Sequence, residues 1–186
     1  MTLGALRREK LLEAAAGLFA ERGYHAVGID DIGAAAGITG PGVYRHFAGK
    51  QALLEDLCDR AMTRVLDGAL PLSDGGADAL EALVDLHVAF AVGERALLGV
   101  WAREQRALSD DVRRSLRVRQ RAYEKLWREV LGRRREDLSA DEAQVAVTST
   151  LALLNSTALV DTRVPAERLR PLLRRMALAA LLARVT

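Results

Sequence analysis

Apolar residues recur every three or four positions along most of this chain, the spacing that places them on one face of an α-helix. Between Arg8 and Tyr24 this stripe is made of Leu11, Leu12, Ala15, Leu18 and Phe19. Similar runs follow at about 50–66, 78–92, 94–108, 109–131, 139–159 and 165–183. The pattern predicts an all-α fold. Gly68, Pro71 and Gly75 mark the clearest break between two of these runs.

The stretch 29–47 reads I-D-D-I-G-A-A-A-G-I-T-G-P-G-V-Y-R-H-F and predicts two short helices joined by a tight turn. The first helix is expected at 30–36, with Gly37 after it, because glycine takes a left-handed backbone without steric cost. Thr39 is expected to cap the second helix through its hydroxyl, and Pro41 suits a first helical turn. Such a helix-turn-helix can place its second helix in a DNA major groove. Two short helices around a glycine turn also occur in all-α proteins that bind no DNA.

Charge supports a local DNA surface and not a general one. The net charge is only +2, so nucleic-acid binding has to come from cations gathered near one end. These are Arg7, Arg8, Lys10, Arg45, His46 and Lys50.

Three pieces of the sequence resemble the DNA-binding domain of the tetracycline-repressor (TetR) family of bacterial transcription regulators. They are L-F-A-E-R-G-Y, D-D-I-G-A-A-A-G-I and V-Y-R-H-F-A-G-K-Q-A-L-L, in the family's order and spacing between Leu11 and Leu54. The resemblance implies a helix-turn-helix domain at 1–50 and a helical effector-binding and dimerisation domain at 51–186, connected by the helix at 50–66. It also implies that Lys50 contacts a DNA phosphate; a solvated surface lysine is the alternative.

The DNA-contacting residues that the motif and the resemblance predict lie on and beside the second helix. They are Thr39, Gly40, Pro41, Gly42, Tyr44, Arg45, His46 and Lys50. The chain departs from the family at Gly28, Gly40 and Gly42, where longer or hydroxyl side chains are common. Base contacts therefore fall mainly to Thr39, Tyr44 and Arg45, with His46 as a further candidate. Tyr44 either reaches the DNA or packs inside the domain.

The last two predicted helices are rich in alanine, and small residues permit close approach between helices. Members of the TetR family usually dimerise through their last two helices, so the resemblance implies a homodimer here. A two-fold dimer would bring its recognition helices to successive major grooves, about 34–36 Å apart. The alternative is that both helices complete the core of one subunit.

A helical C-terminal domain of this family usually holds a small ligand. Candidate effector-binding residues combine apolar surface with hydrogen-bonding groups, the usual composition of a ligand pocket. They are Leu83, His87, Phe90, Trp101, Gln105, Tyr123, Trp127 and Asn155. Their apolar bias favours a small hydrophobic or amphipathic effector. Aromatic residues at helical spacing also occur as plain core, and a core histidine is the alternative for His87.

These features predict a ligand-responsive repressor of transcription that leaves its double-stranded DNA operator when a small molecule binds. An effector-independent DNA-binding protein is the alternative. An enzyme is disfavoured, because His25, His46 and His87 lie far apart and no nucleophile or phosphate-binding motif is present. We expect no cofactor and no metal. The single cysteine, Cys58, and the charged N-terminus without a long apolar run fit the cytoplasm and no membrane; Cys58 is expected to be a buried apolar residue, with redox sensing as the alternative.

Overall fold

A computed structural model describes residues 2–160 and 162–184. Within these ranges the chain forms α-helices, short 3-10 turns and no strand. The helices are α1 (Leu3–Arg22), α2 (Ile29–Ala35), α3 (Gly40–Val43), α4 (Lys50–Ala69), α5 (Ala79–Gly93), α6 (Arg95–Arg103), α7 (Asp110–Arg134), α8 (Ala140–Asn155) and α9 (Ala166–Leu182). The predicted all-α fold is confirmed. None of the helices in the described ranges is both long and apolar enough to cross a membrane.

The described residues pack as two compact units that alternate along the chain. Unit one contains residues 2–61 and 96–116, and unit two contains the described residues of 62–95 and 117–186. Helices α4, α6 and α7 each contribute residues to both units. The two packed units therefore have different boundaries from the two domains, 1–50 and 51–186, that the sequence suggests.

Unit one is built around the apolar stripe of α1. The side chains of Leu11, Phe19 and Ile32 are fully buried there. Two ion pairs add α1–α4 contacts, Arg8 with Asp56 and Arg60 with Glu9. Such partly exposed pairs contribute little on their own, so apolar burial is the main source of stability in this unit.

Unit two contains a helical core in which α9 packs against both α5 and α8. The apolar side chains that these helices and α7 bury completely include Leu80, Leu83, Trp127, Leu131, Leu154 and Leu181. Burying a large apolar side chain contributes roughly 1.5–3 kcal/mol relative to exposure. Burial of these side chains is therefore the main source of stability in unit two.

The sequence has a short run of arginines at 133–135, which predicts a solvated loop, with a second DNA-binding patch as the alternative; the structure differs from the predicted loop. Helix α7 continues through Arg134, and the side chain of Arg135 is buried. Its Nη1 donates to the carbonyl oxygens of Leu181 at 3.1 Å and Ala183 at 2.7 Å. Arg135 thus satisfies carbonyl groups that the end of α9 leaves without helical partners.

The start signals of the last two helices had different outcomes. Ser139 and Glu142 have the S-x-x-E spacing that predicts a capping box, and they form it, with the Ser139 N–H donating to Glu142 Oε2 at 2.8 Å. The sequence predicts that Pro165 opens the last helix and that Pro171, inside it, causes a kink or a later start near Arg170. Helix α9 begins at Ala166, directly after Pro165, and contains Pro171, so the later start is wrong. Pro171 is the sixth residue of α9, so its missing N–H leaves the Glu167 carbonyl oxygen without its usual helical donor, a cost that the packing of α9 against α5 and α8 offsets.

Candidate nucleic-acid interface and effector site

The turn between α2 and α3 is tight because two glycines permit it. Gly37 has φ +73°, the left-handed conformation predicted for it. Gly33 is buried where α2 crosses the next segment, and a Cβ atom there would lie 2.9 Å from the Ile38 carbonyl oxygen. The two glycines thus hold the beginning of α3 against α2, which is the local geometry of a helix-turn-helix.

Thr39 starts α3 in a different way from the one predicted. It is the N-cap residue, with φ −77° and ψ 155°, but its hydroxyl makes no capping hydrogen bond. Its carbonyl oxygen instead accepts from the Gly42 and Val43 N–H groups at 2.8 and 3.2 Å. The hydroxyl of this exposed residue is therefore available at the surface.

The predicted DNA-contacting residues differ in exposure. Thr39, Pro41, Tyr44 and Arg45 are exposed, and the side chain of Tyr44 is 59% accessible, so Tyr44 does not pack inside the domain. Gly42, His46 and Lys50 are half-buried.

Gly40 is buried beneath the exposed residues of this segment. A Cβ atom at Gly40 would lie 1.9 Å from Asp30 Oδ1, so the Asp30 carboxylate occupies the space that a side chain there would need. Gly40 therefore offers no surface of its own to DNA.

The ammonium group of Lys50 is engaged within unit one. Its Nζ donates to the carbonyl oxygens of Tyr24 at 2.9 Å and Val27 at 2.8 Å. It also lies 4.3 Å from the centre of the Tyr24 ring, a cation–π contact. Contact between Lys50 and a phosphate stays a prediction, and this geometry leaves one N–H of the ammonium for it.

Five of the predicted effector-binding residues come together in unit two. His87 lies at the centre: its Nδ1 is 2.9 Å from the Tyr123 hydroxyl and its Nε2 is 2.9 Å from Asn155 Oδ1. The imidazole stacks on Tyr123 and meets the Trp127 and Phe90 rings at centroid distances of 6.1 and 6.2 Å. We call these five residues the His87 cluster.

Proton positions in the His87 cluster follow from its acceptors. Asn155 Oδ1 can only accept, so Nε2 of His87 carries the proton and the Tyr123 hydroxyl donates to Nδ1. Burial lowers the pKa of His87 to about 4 and raises the pKa of Tyr123. Both side chains are neutral at physiological pH, and the cluster carries hydrogen bonds without charge.

The other three effector candidates lie outside the His87 cluster. Leu83 is buried one turn earlier on α5. Trp101, on α6, and Gln105, in the 3-10 turn that follows, are half-buried residues of unit one. The assignment of all eight residues to an effector site stays a prediction.

Glu104 was not among the predicted functional residues. Its Oε1 accepts the Tyr24 N–H at 3.0 Å, although the two residues are 80 positions apart. A glutamate at the end of an amphipathic helix gives no local signal for such a contact.

The cysteine has the character expected from the sequence. Cys58 is buried, and burial raises the pKa of its thiol to about 12. Thiolate is the reactive form of cysteine, so a thiol that stays protonated is a poor redox sensor.

Two family models match consecutive parts of the chain. Residues 11–57 match the model of bacterial regulatory proteins of the tetR family, which covers the helix-turn-helix. Residues 73–159 match a tetracyclin repressor-like C-terminal domain, which covers the helices of the His87 cluster.

Similar proteins agree with these matches. The transcriptional repressor KstR2 of Mycobacterium tuberculosis is 33% identical over 145 residues, covering 73% of this chain and 72% of that protein. A solved structure of the ketosteroid regulator KstR2 from the same organism gives a TM-score of 0.81 at 24% identity, covering 94% of this chain and 93% of that one. A structure of AibR with isovaleryl coenzyme A and operator DNA gives 0.76 at 21% identity, covering 91% and 97%. At these identities the two structures support the fold alone.

Residues 39–45, which we call the recognition segment, present exposed side chains directly after a tight turn between two helices. In an all-α chain this arrangement defines a helix-turn-helix regulator of transcription. The chain belongs to the TetR family of bacterial regulatory proteins, as the family models and the KstR2 relative show. It is therefore a DNA-binding regulator of transcription and not an enzyme.

Proposed function

We propose that this regulator is a ligand-responsive repressor, which acts as a homodimer and contacts its operator through the surface of α3 and the residues that follow it. The observation that carries this proposal is the exposure of Thr39, Tyr44 and Arg45 on one short segment. A hydroxyl, a phenol and a guanidinium can donate to phosphates or base edges, and arginine pairs well with guanine. Because operator DNA lies in the cytoplasm, we place the protein there.

The proposed dimer forms through α8 and α9. These helices pack side by side, yet apolar residues remain exposed on both: Val145 is 65%, Leu172 40% and Met176 44% accessible. Exposed alanines, among them Ala152 and Ala179, would let a second pair of helices approach closely. A four-helix contact of this kind would cover apolar surface that one subunit leaves in water.

The proposed effector has an uncharged buried end. The five residues of the His87 cluster carry no positive charge, so a carboxylate among them would have no partner in the cluster, and an unpaired buried charge costs several kcal/mol. Hydrogen-bond donors are available there: the indole N–H of Trp127 is buried beside the Tyr123 hydroxyl without a well-aligned acceptor in the described ranges, and Asn155 offers its amide nitrogen.

A carbonyl oxygen suits these donors. The KstR2 relative is named for ketosteroids, and AibR was solved with an acyl thioester. We propose an effector of one of these two chemical classes, a steroid ketone or an acyl thioester, in preference to a free fatty acid.

DNA binding is tested by selecting binding sites from random duplexes and measuring anisotropy at about 150 mM salt, where non-specific binding is weak. We expect one enriched, two-fold symmetric motif. Arg45→Ala should weaken binding to it by roughly 1–3 kcal/mol, whereas Arg117→Ala, which removes an equal charge from the surface of α7, should change it little. The absence of any enriched motif would refute operator binding.

Effector chemistry is tested by adding isovaleryl coenzyme A, a steroid ketone or isovalerate to the operator complex. We expect release with one of the first two and none with isovalerate. Tyr123→Phe and Asn155→Ala should weaken the response and leave operator affinity without effector unchanged. Equal release by isovalerate would contradict an uncharged buried end.

A further inference from the structure

The loop between α1 and α2 is held from two sides by residues distant in sequence. On one side, Glu104 accepts the Tyr24 N–H at 3.0 Å. On the other, Lys50 donates to the carbonyl oxygens of Tyr24 and Val27 at 2.9 and 2.8 Å. Both peptide groups of Tyr24 are therefore fixed by side chains, and all four residues belong to unit one.

The end of α6 is attached to α1 at a second point. Arg103 Nη2 donates to the Ala20 carbonyl oxygen at 2.9 Å, and its Nε donates to Gly99 within its own helix at 3.3 Å. The Glu104 N–H continues the helical pattern by donating to Val100 at 2.9 Å. Because Arg103 and Glu104 hold neighbouring positions, the last turn of α6, the end of α1 and the loop move together.

This loop determines where the recognition segment begins. Val27 is buried, and α2 starts at Ile29, two residues later. Helix α2 in turn supports α3 through the close contact at Gly33. A displacement of Tyr24 is thus passed through α2 to the residues that face the operator.

We propose that Glu104 and Lys50 are positioning residues for operator binding, which set the recognition segment through the Tyr24 loop. Lys50 acts through this loop, because two of its three N–H groups donate to the carbonyl oxygens of Tyr24 and Val27 and its charge lies over the Tyr24 ring. A change in the position of the end of α6 therefore changes the affinity of the protein for its operator. This inference rests on operator binding as proposed above.

Glu104 is tested by comparing Glu104→Ala with Glu104→Gln, which keeps an oxygen acceptor for the Tyr24 N–H. The control is Glu21→Ala, which removes an equal charge from the exposed face of α1. Without effector, Glu104→Ala should bind the selected operator roughly three- to tenfold more weakly, the usual effect of one lost hydrogen bond. Glu104→Gln and Glu21→Ala should stay within about twofold of the wild type.

Hydrogen exchange of the Tyr24 amide gives a readout that needs no DNA. We expect exchange to be at least tenfold faster in Glu104→Ala than in the wild type, with protection restored in Glu104→Gln. If the wild type shows this protection but selects no operator, the proposed function fails, while the hydrogen bond between Glu104 and the Tyr24 N–H is still supported. Wild-type affinity and wild-type protection in Glu104→Ala would overturn the role of Glu104.

Lys50 is tested by the salt dependence of operator affinity in Lys50→Met. Loss of a phosphate contact reduces the slope of log K against log salt by about 0.9 for each subunit. A positioning role predicts weaker binding at every salt concentration with the slope unchanged. A slope reduced by that amount would show a direct phosphate contact and overturn the role of Lys50, as would unchanged affinity.

Discussion

Gly33 shows how a single missing side chain shapes the recognition segment. Its Cβ position faces backbone atoms, with the Ile38 carbonyl oxygen at 2.9 Å and the Gly40 nitrogen at 3.3 Å, so no side-chain rotation can relieve the contact. Gly33→Ala should lower the free energy of unfolding by about 1–2 kcal/mol, because overpacking outweighs the better helix propensity of alanine. Operator affinity should fall as well, since α3 is pushed away from α2.

The matched control for Gly33→Ala is Gly17→Ala. Gly17 is exposed within α1, and nothing lies within 4 Å of its Cβ position. The substitution should stabilise the protein by about 0.5–1 kcal/mol. Urea denaturation measures both variants, and equal effects of the two would show that the close contact at Gly33 has no energetic consequence.

His87 should make stability depend on pH. Its folded pKa is about 4, below the ordinary value of 6.5, so the unfolded chain binds more protons between these values. The free energy of unfolding that the neutral His87 contributes is fully present above pH 6.5 and is lost as the pH falls toward 4. Between pH 7 and 5 we expect the wild type to lose about 2 kcal/mol more than His87→Gln.

Denaturation with urea at pH 7, 6 and 5 measures this difference. His25→Gln is the control, because His25 lies on the surface. Parallel pH profiles for the wild type and His87→Gln would contradict a neutral buried imidazole.

At the scale of elements, α8 depends on its capping box. The Ser139 hydroxyl accepts the Glu142 N–H at 3.3 Å, and Glu142 returns the contact. Ser139→Ala should reduce stability by about 1 kcal/mol, whereas Ser139→Asp should keep most of it, because aspartate also caps helix N-termini. Thermal unfolding compares the two; an equal loss in both would mean that the cap is not the cause.

The helices were the part of the fold that the sequence predicted best. Apolar spacing located the helices, and local chemistry located Gly37 and the capping box, because these signals involve residues within one or two turns. Helix ends were less accurate: α7 runs to Arg134 and not to about 131, whereas α6 ends at Arg103 and not at about 108. The start of α9 at Ala166 agrees with the predicted start at Pro165.

Contacts between distant residues could not be predicted. Arg135 reaches carbonyl groups 46 and 48 positions away, and Glu104 reaches Tyr24 across 80. In sequence each is an ordinary charged residue. The His87 cluster was partly predicted, because polar residues on apolar helical faces are unusual, but its pairing with Tyr123 and Asn155 depends on how three helices pack.

At the scale of the whole molecule, the proposed dimer predicts a coupled loss of assembly and DNA affinity. Met176→Glu would place two charges in the proposed contact between subunits, and sedimentation should then show monomers. Operator affinity should fall by well over tenfold, because two linked sites bind far more tightly than one. Stability of the monomer should change little, since Met176 is 44% exposed.

Val118→Glu is the control for Met176→Glu. Val118 is 62% accessible on α7, outside the proposed contact, so the same change should leave assembly and operator affinity as they are. Dimers that persist in Met176→Glu would exclude α9 from the interface.

The carboxylate of Asp30 beside Gly40 couples two positions near the operator surface. A side chain grafted at position 40 from another regulator would meet Asp30 Oδ1 and displace it. Because Asp30 is exposed, its carboxylate can rotate into solvent, so such a graft changes the place of a negative charge as well as the residue at position 40.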